Sequence, residues 1–134
     1  MLKKMEINFI KTPEKPFISN GGLKGIKICK LFFKFNQKEK IAILWHEFFH
    51  CRLTYIPKNI WLELKYCFGN KESFWEEEYG ADKFSALNNN IQDCLSYLKR
   101  CKYLYNKKTI SYNFKTHPSI VKRIEEIKKL MKNQ

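Results

Sequence analysis

Arginine is scarce in this chain. It stands only at positions 52, 100 and 123, although Lys and Arg together number 26 against 13 acids, for a formal net charge of +13. Lysine is a hydrated point charge, whereas the planar guanidinium is the group suited to bidentate recognition. The lysines are also spread along the chain, with no helix-turn-helix or RNA-binding signature beside them. Specific nucleic-acid recognition is therefore not expected, only weak nonspecific attraction to polyanions.

Other absences narrow the field further. No stretch approaches the roughly 18 consecutive apolar residues of a membrane helix. The N-terminus lacks the apolar core of about 7–15 residues that a signal peptide needs, because Glu6 and Asn8 interrupt it. A cytoplasmic location is the expectation. The five cysteines (29, 51, 67, 94 and 101) are odd in number and form no C-x-x-C pair. This argues against a disulfide framework or a zinc ribbon and for reduced, buried thiols. Repeats, linkers and low-complexity tracts are missing too. What remains is 134 residues, 44% hydrophobic and 16% aromatic, enough for one domain (1–134) with a core of its own.

The N-terminal 35 residues read as strands and turns. Met5–Ile10 is a short strand, Thr12–Pro16 a break and Asn20–Gly22 a turn signal. Leu23 to Cys29 alternates apolar residues with Lys, as a half-buried edge strand does. Such an edge beside a helix can also dock an extended peptide. A helix is predicted over 37–53, opened by Asn36 as N-cap with Glu39 as its reciprocal partner. Residues 54–72 read either as a short helix after Pro57 or as a loop. A further helix covers 73–87, and Asn90 with Asp93 caps another to about Tyr105. Residues 106–116 are loop-like, with a short extended piece at 109–114. A last helix starts at Pro118 and runs to about Met131, with Ile120, Val121, Ile124, Ile127 and Leu130 as its apolar stripe.

The chemistry lies in Ile41–His50, which carries H-E-x-x-H at His46, Glu47 and His50. Residues four apart share a helix face, so both imidazoles can reach one metal ion from adjacent turns. Glu47 lies one step round, placed to act as a general base. A catalytic zinc takes a third protein ligand, and the candidates are Glu76, Glu77, Glu78, Asp82, His117 and the cysteines. Glu78 and Asp82 are four apart on the next helix. Small Gly80 and Ala81 beside them allow close packing. Glu78 as ligand, with Asp82 accepting a hydrogen bond from a ligating imidazole, makes physical sense. The bland reading of the acidic triplet is a charged first turn favoured by the helix dipole.

Glu78-Tyr-Gly-Ala-Asp82 resembles the E-x-x-A-D signature of gluzincin metallopeptidases in the group of the CAAX prenyl protease and the bacterial heat-shock membrane protease. Thr116-His-Pro-Ser-Ile-Val-Lys-Arg-Ile124 is similar to that group's T-H-P-x-x-x-x-R-I segment. The resemblance spans roughly 36–125 and implies zinc held by His46, His50 and Glu78, with Asp82 in support. It implies His117 and Arg123 at the active-site border, acting on substrate or on the oxyanion. Members carry membrane helices; this chain has none, and so resembles the soluble minigluzincins. Arg52 stands where the group's zinc helix is usually apolar.

The expected architecture is α+β, small and mainly helical, with a short N-terminal sheet and edge strand packed on the H-E-x-x-H helix and on a second, glutamate-bearing helix. The expected activity is that of a zinc metalloendopeptidase acting on a peptide or protein substrate. A latent form is included, with the segment 106–134 inhibitory or its helix exchanged in a homodimer. The rival enzyme class is a regulator-cleaving zinc protease of the ImmA/IrrE kind, whose E-x-x-A-x-x-F-A pattern is nearly met by Glu78, Ala81, Phe84 and Ala86. The rival outside enzymes is a non-catalytic basic module that binds an acidic partner or nucleic acid.

Overall fold

A computed structural model describes residues 6–11, 18–22, 25–51, 72–111, 113–114 and 116–134. Its elements are strands β1 (Ile7–Ile10), β2 (Ser19–Gly22) and β3 (Gly25–Cys29), a 3-10 turn (Lys30–Lys34), and helices α1 (Gln37–Cys51), α2 (Glu72–Asn88), α3 (Ile91–Asn106) and α4 (Ile120–Lys132). The expected architecture is observed: mainly helical, with a small N-terminal sheet against α1. The segment 54–71 and the break at Thr12–Pro16 lie outside the described residues.

The sheet runs in the order β1-β3-β2, with β1 parallel and β2 antiparallel to β3. Two expectations are corrected here. Asn20–Gly22 is not a turn but belongs to strand β2, paired through Gly22 opposite Gly25. The Lys-bearing strand is the central one, and β1 and β2 form the edges. Turn-forming residues also suit the mouth of a hairpin, and only the pairing partner decides which they become. Gly25 is obligatory in this arrangement. Its φ is +100°, and a Cβ there would stand 2.1 Å from the Glu6 carbonyl oxygen, which itself accepts a hydrogen bond from the Ile26 N–H.

Local signals set the helix starts. Asn36 Oδ1 accepts from the Glu39 N–H, and Glu39 Oε2 accepts from the Asn36 N–H, the reciprocal cap read from the sequence. Glu39 also takes a hydrogen bond from Ser96 Oγ at 2.8 Å, which fastens the first turn of α1 to α3. Asn90 Oδ1 caps α3 by accepting from the Gln92 and Asp93 N–H groups. Ser119 caps α4, one residue beyond the Pro118 expected to start it.

Ile120, Ile124 and Ile127 of α4 share one buried cluster with Leu98, Cys101 and Leu104 of α3, with Phe32 of the 3-10 turn and with Phe35 just after it. Val121, expected on this stripe, faces solvent, because a residue next to Ile120 is turned about 100° away from it. The extended piece expected at 109–114 is not a strand among the described residues, which form bends and turns there. Cys29, Cys51, Cys94 and Cys101 are buried. Burial pushes the Cys94 thiol well up, and the charge of Asp82 adds to the effect. Among the described residues no helix is long and apolar enough to cross a membrane.

Candidate metal centre

Helix α1 places its motif by periodicity. Ala42, Ile43, His46 and Glu47 share its buried side, so the stripe that packs the helix also carries the imidazole inward. Helix α2 comes close enough to meet it because its facing residues are small. Ala81 is fully buried. A Cβ on Gly80 would lie 2.9 Å from Phe49 Cζ. Ser85 Oγ donates to the Ala42 carbonyl at 2.7 Å. That approach brings Glu78 and Asp82 of α2 onto the two histidines.

Three donor side chains converge. His46 Nε2 and His50 Nε2 are 3.2 Å apart. Glu78 lies 3.5 Å from the first through Oε2 and 3.0 Å from the second through Oε1. A tetrahedral zinc with ligands at about 2.0–2.2 Å has donor–donor edges of about 3.3–3.6 Å, close to these separations. His46, Glu47 and His50 also form a group whose candidate ligand atoms all lie within 4.8 Å of one another. Glu78 Oε2 is buried and no described group hydrogen-bonds to it. A buried carboxylate oxygen is normally satisfied, and a cation at this point would satisfy it. The donor set thus fits a metal ion.

Behind the donors lies a buried ionic network. Asp82 accepts from Arg123 Nε at 2.7 Å and from Arg123 Nη2 at 2.8 Å. It also accepts from Tyr97 Oη at 2.5 Å, and its Oδ1 lies 2.8 Å from His46 Nδ1. A carboxylate can only accept, so the His46 hydrogen sits on Nδ1 and Nε2 is the nitrogen left for a metal. Arg123 Nη2 donates to Tyr97 Oη at 3.1 Å as well. Burial alone would raise the Asp82 carboxyl, but Arg123 and His46 hold it far below the usual carboxylate range. Burial alone would depress His46, yet the hydrogen bond and charge of Asp82, joined by Glu78, lift it to about 10. Burial likewise opposes the ionised form of Glu78, and His46 and His50 overcome it.

Glu47 is buried, and Ser19 Oγ of strand β2 donates to its Oε1 at 2.6 Å. His117 stands at the rim with its side chain 41% exposed and Nε2 3.7 Å from Glu78 Oε1. Thr116 Oγ1 lies 2.7 Å from its Nδ1. Burial holds His117 below the ordinary imidazole value, with Arg123 acting the same way against the pull of Glu78.

The fold therefore brings together His46, Glu47, His50, Glu78, Asp82, His117 and Arg123. Arg123 is buried, with its fork on Asp82 and Nη2 3.8 Å from Glu78 Oε2. Glu76 is exposed and Glu77 half-buried, and both fall in the second turn of α2 rather than the first. Sequence reading missed Tyr97 and Ser19. Tyr97 had a signal, since a tyrosine between Cys94 and Cys101 on the buried stripe of α3 needs a partner for its hydroxyl. Ser19 had none. Comparison with protein-family models, with curated proteins and with solved structures finds no match.

Proposed function

We propose that the chain is a zinc-dependent endopeptidase of the gluzincin type, with His46, His50 and Glu78 as metal ligands and Glu47 as general base. The observation that carries this reading is the meeting of three donor side chains at 3.0–3.5 Å, one of them bearing a buried carboxylate oxygen that accepts no hydrogen bond. Charge supports a dication in particular. Three buried carboxylates, Glu47, Glu78 and Asp82, stand against one buried guanidinium, Arg123, in the charge count, leaving two negative charges once His46 is neutral.

When bound, zinc supplies Lewis acidity, polarising a peptide carbonyl and acidifying a water. Glu47 takes the proton from the attacking water and hands it to the leaving amine. Ser19 donates to one Glu47 oxygen and so fixes how the carboxylate is turned. Asp82 holds His46 in the ligating tautomer, and Arg123 and Tyr97 hold Asp82. His117, at the open rim and with its pKa lowered, is the neutral donor placed to meet negative charge developing on the carbonyl oxygen. The segment 106–134 supplies His117 and Arg123 to the site.

The test is elemental analysis of wild type, Glu78→Ala and Glu47→Gln, run beside a peptidase assay on an unfolded protein. The expected result is about one zinc per chain in wild type and Glu47→Gln, a clear loss in Glu78→Ala, and proteolysis in wild type alone. Zinc retained by Glu78→Ala would remove Glu78 from the ligand set. Zinc without proteolysis in the wild type would favour a structural metal and a binding module.

A further inference from the structure

Away from the metal centre, Ile7, Phe9 and Phe33 are each more than half exposed, at 53, 52 and 56%. They form one patch. Ile7 and Phe9 are two apart on β1 and so share a face, and the Phe9 and Phe33 rings are 5.8 Å apart. The register places Ile7 beside Ile26 and Phe9 beside Ile28. The patch is thus the inner apolar face of the sheet continued outward past its β1 edge.

Lysines lie beside it. Lys40 Nζ stands 5.5 Å from the Phe33 ring centre. Lys30 lies three residues before Phe33 in the 3-10 turn, where side chains at that spacing eclipse. Lys11 follows Phe9 by two, and both Lys11 and Lys30 are exposed. Glu6 and Asn8 alternate to the other face of the strand. Bare aromatics with lysines beside them complement a surface that is apolar a few ångströms down and negative on top.

We infer that this patch docks the protein on an anionic lipid bilayer, with Ile7, Phe9 and Phe33 at the acyl boundary and Lys11, Lys30 and Lys40 among the headgroups. This is attachment to the surface rather than a span. A second copy is the poorer occupant, because it would bring the same lysines and another +13 of charge against the first. The inference is independent of whether the metal centre is catalytic.

The experiment is co-sedimentation of the full chain with vesicles of phosphatidylcholine alone or with about one-third phosphatidylserine. Binding to the anionic vesicles is expected, weak on neutral ones and released by salt. Phe9→Ser with Phe33→Ser should cost roughly fivefold per ring, given half-exposed side chains. Lys11→Gln with Lys30→Gln should cost roughly fivefold per charge. Lys128→Gln with Lys132→Gln, on the exposed side of α4, should cost much less. All the substituted residues are exposed, and circular dichroism checks the folds. Equal loss in the α4 control would reduce the effect to diffuse charge and overturn the proposal. So would unchanged binding in the phenylalanine variant, or no binding by wild type. A wild-type dimer that the phenylalanine variant turns into a monomer would assign the patch to a second copy instead.

Discussion

Asp82→Asn should separate the two duties of the buried network. Asp82 and Arg123 are 1% and 4% exposed, and the carboxylate accepts from Arg123 twice, from Tyr97 and from His46. The amide keeps the shape but loses the charge, and its NH₂ must face a donor. Removing one member of a buried ion pair costs about 3–5 kcal/mol, because the other charge is left uncompensated. With about 2.1 cal/mol/K of unfolding entropy per residue over 134 residues, that is a fall in Tm of about 11–18 °C. The second duty is on the metal: without a carboxylate on Nδ1, His46 is a weaker ligand, and affinity should drop by about 10–100-fold.

A double variant tells these effects apart. Adding Arg123→Met to Asp82→Asn removes the stranded guanidinium, so much of the lost stability should return. Metal affinity should not, since His46 Nδ1 still lacks its carboxylate. Thermal unfolding with chelator gives the first quantity, and a competitive metal titration gives the second. A Tm for Asp82→Asn within about 4 °C of wild type, roughly 1 kcal/mol, would refute the buried-pair reasoning. Recovery of metal affinity in the double variant would refute the role given to the His46–Asp82 hydrogen bond.

Two more outcomes are expected. His46 stands at about 10 in the metal-free pocket, so metal entry near neutral pH displaces a proton. Apparent affinity should then rise about tenfold per pH unit, and titration calorimetry in buffers of different ionisation enthalpy should count about one proton released; no release would refute this. The raised value also makes His46 stabilising below about 6.5 in the metal-free protein, a contribution lost as pH rises through about 10. Chain truncation before Ile120 deletes three buried isoleucines and Arg123. At about 1.5–3 kcal/mol per side chain, that rivals a whole domain's stability of about 5–15 kcal/mol. Loss of the far-ultraviolet helix signal is expected, whereas a folded, more active truncate would support the inhibitory reading of 106–134.

What could be read in advance was local. Asn36 with Glu39, and Asn90 with Asp93, announce helix starts through atoms three residues apart or fewer. The histidine spacing is a property of one helix. The sheet order was hidden because it depends on which strands pair, and Asn20–Gly22 carries the same residues whether it turns or extends. The Arg123–Asp82 fork joins positions 41 apart. Read alone, Arg123 looked equally suited to solvent or to an oxyanion; the buried carboxylate on α2 and the burial of Ile124 and Ile127 beside it turn it inward.

Glu39 and Glu78 form an internal comparison. Both are buried glutamates on neighbouring helices, in a chain with few acids to spare. Glu39 is fully engaged: its oxygens take the Asn36 N–H and the Ser96 hydroxyl, with Arg100 Nε 3.8 Å away. That is how this protein treats a carboxylate whose work is structural. Glu78 is given two imidazole nitrogens, and its Oε2 accepts no hydrogen bond, with His46 Nε2 at 3.5 Å and Arg123 Nη2 at 3.8 Å. An unsatisfied buried oxygen costs about 1–3 kcal/mol or more for a charged group, and a serine or threonine hydroxyl nearby would have removed that cost. Local rules are broken in proteins mainly where function requires it. On the function proposed above, a cation between Glu78, His46 and His50 would account for the missing hydrogen bond and the matched separations together.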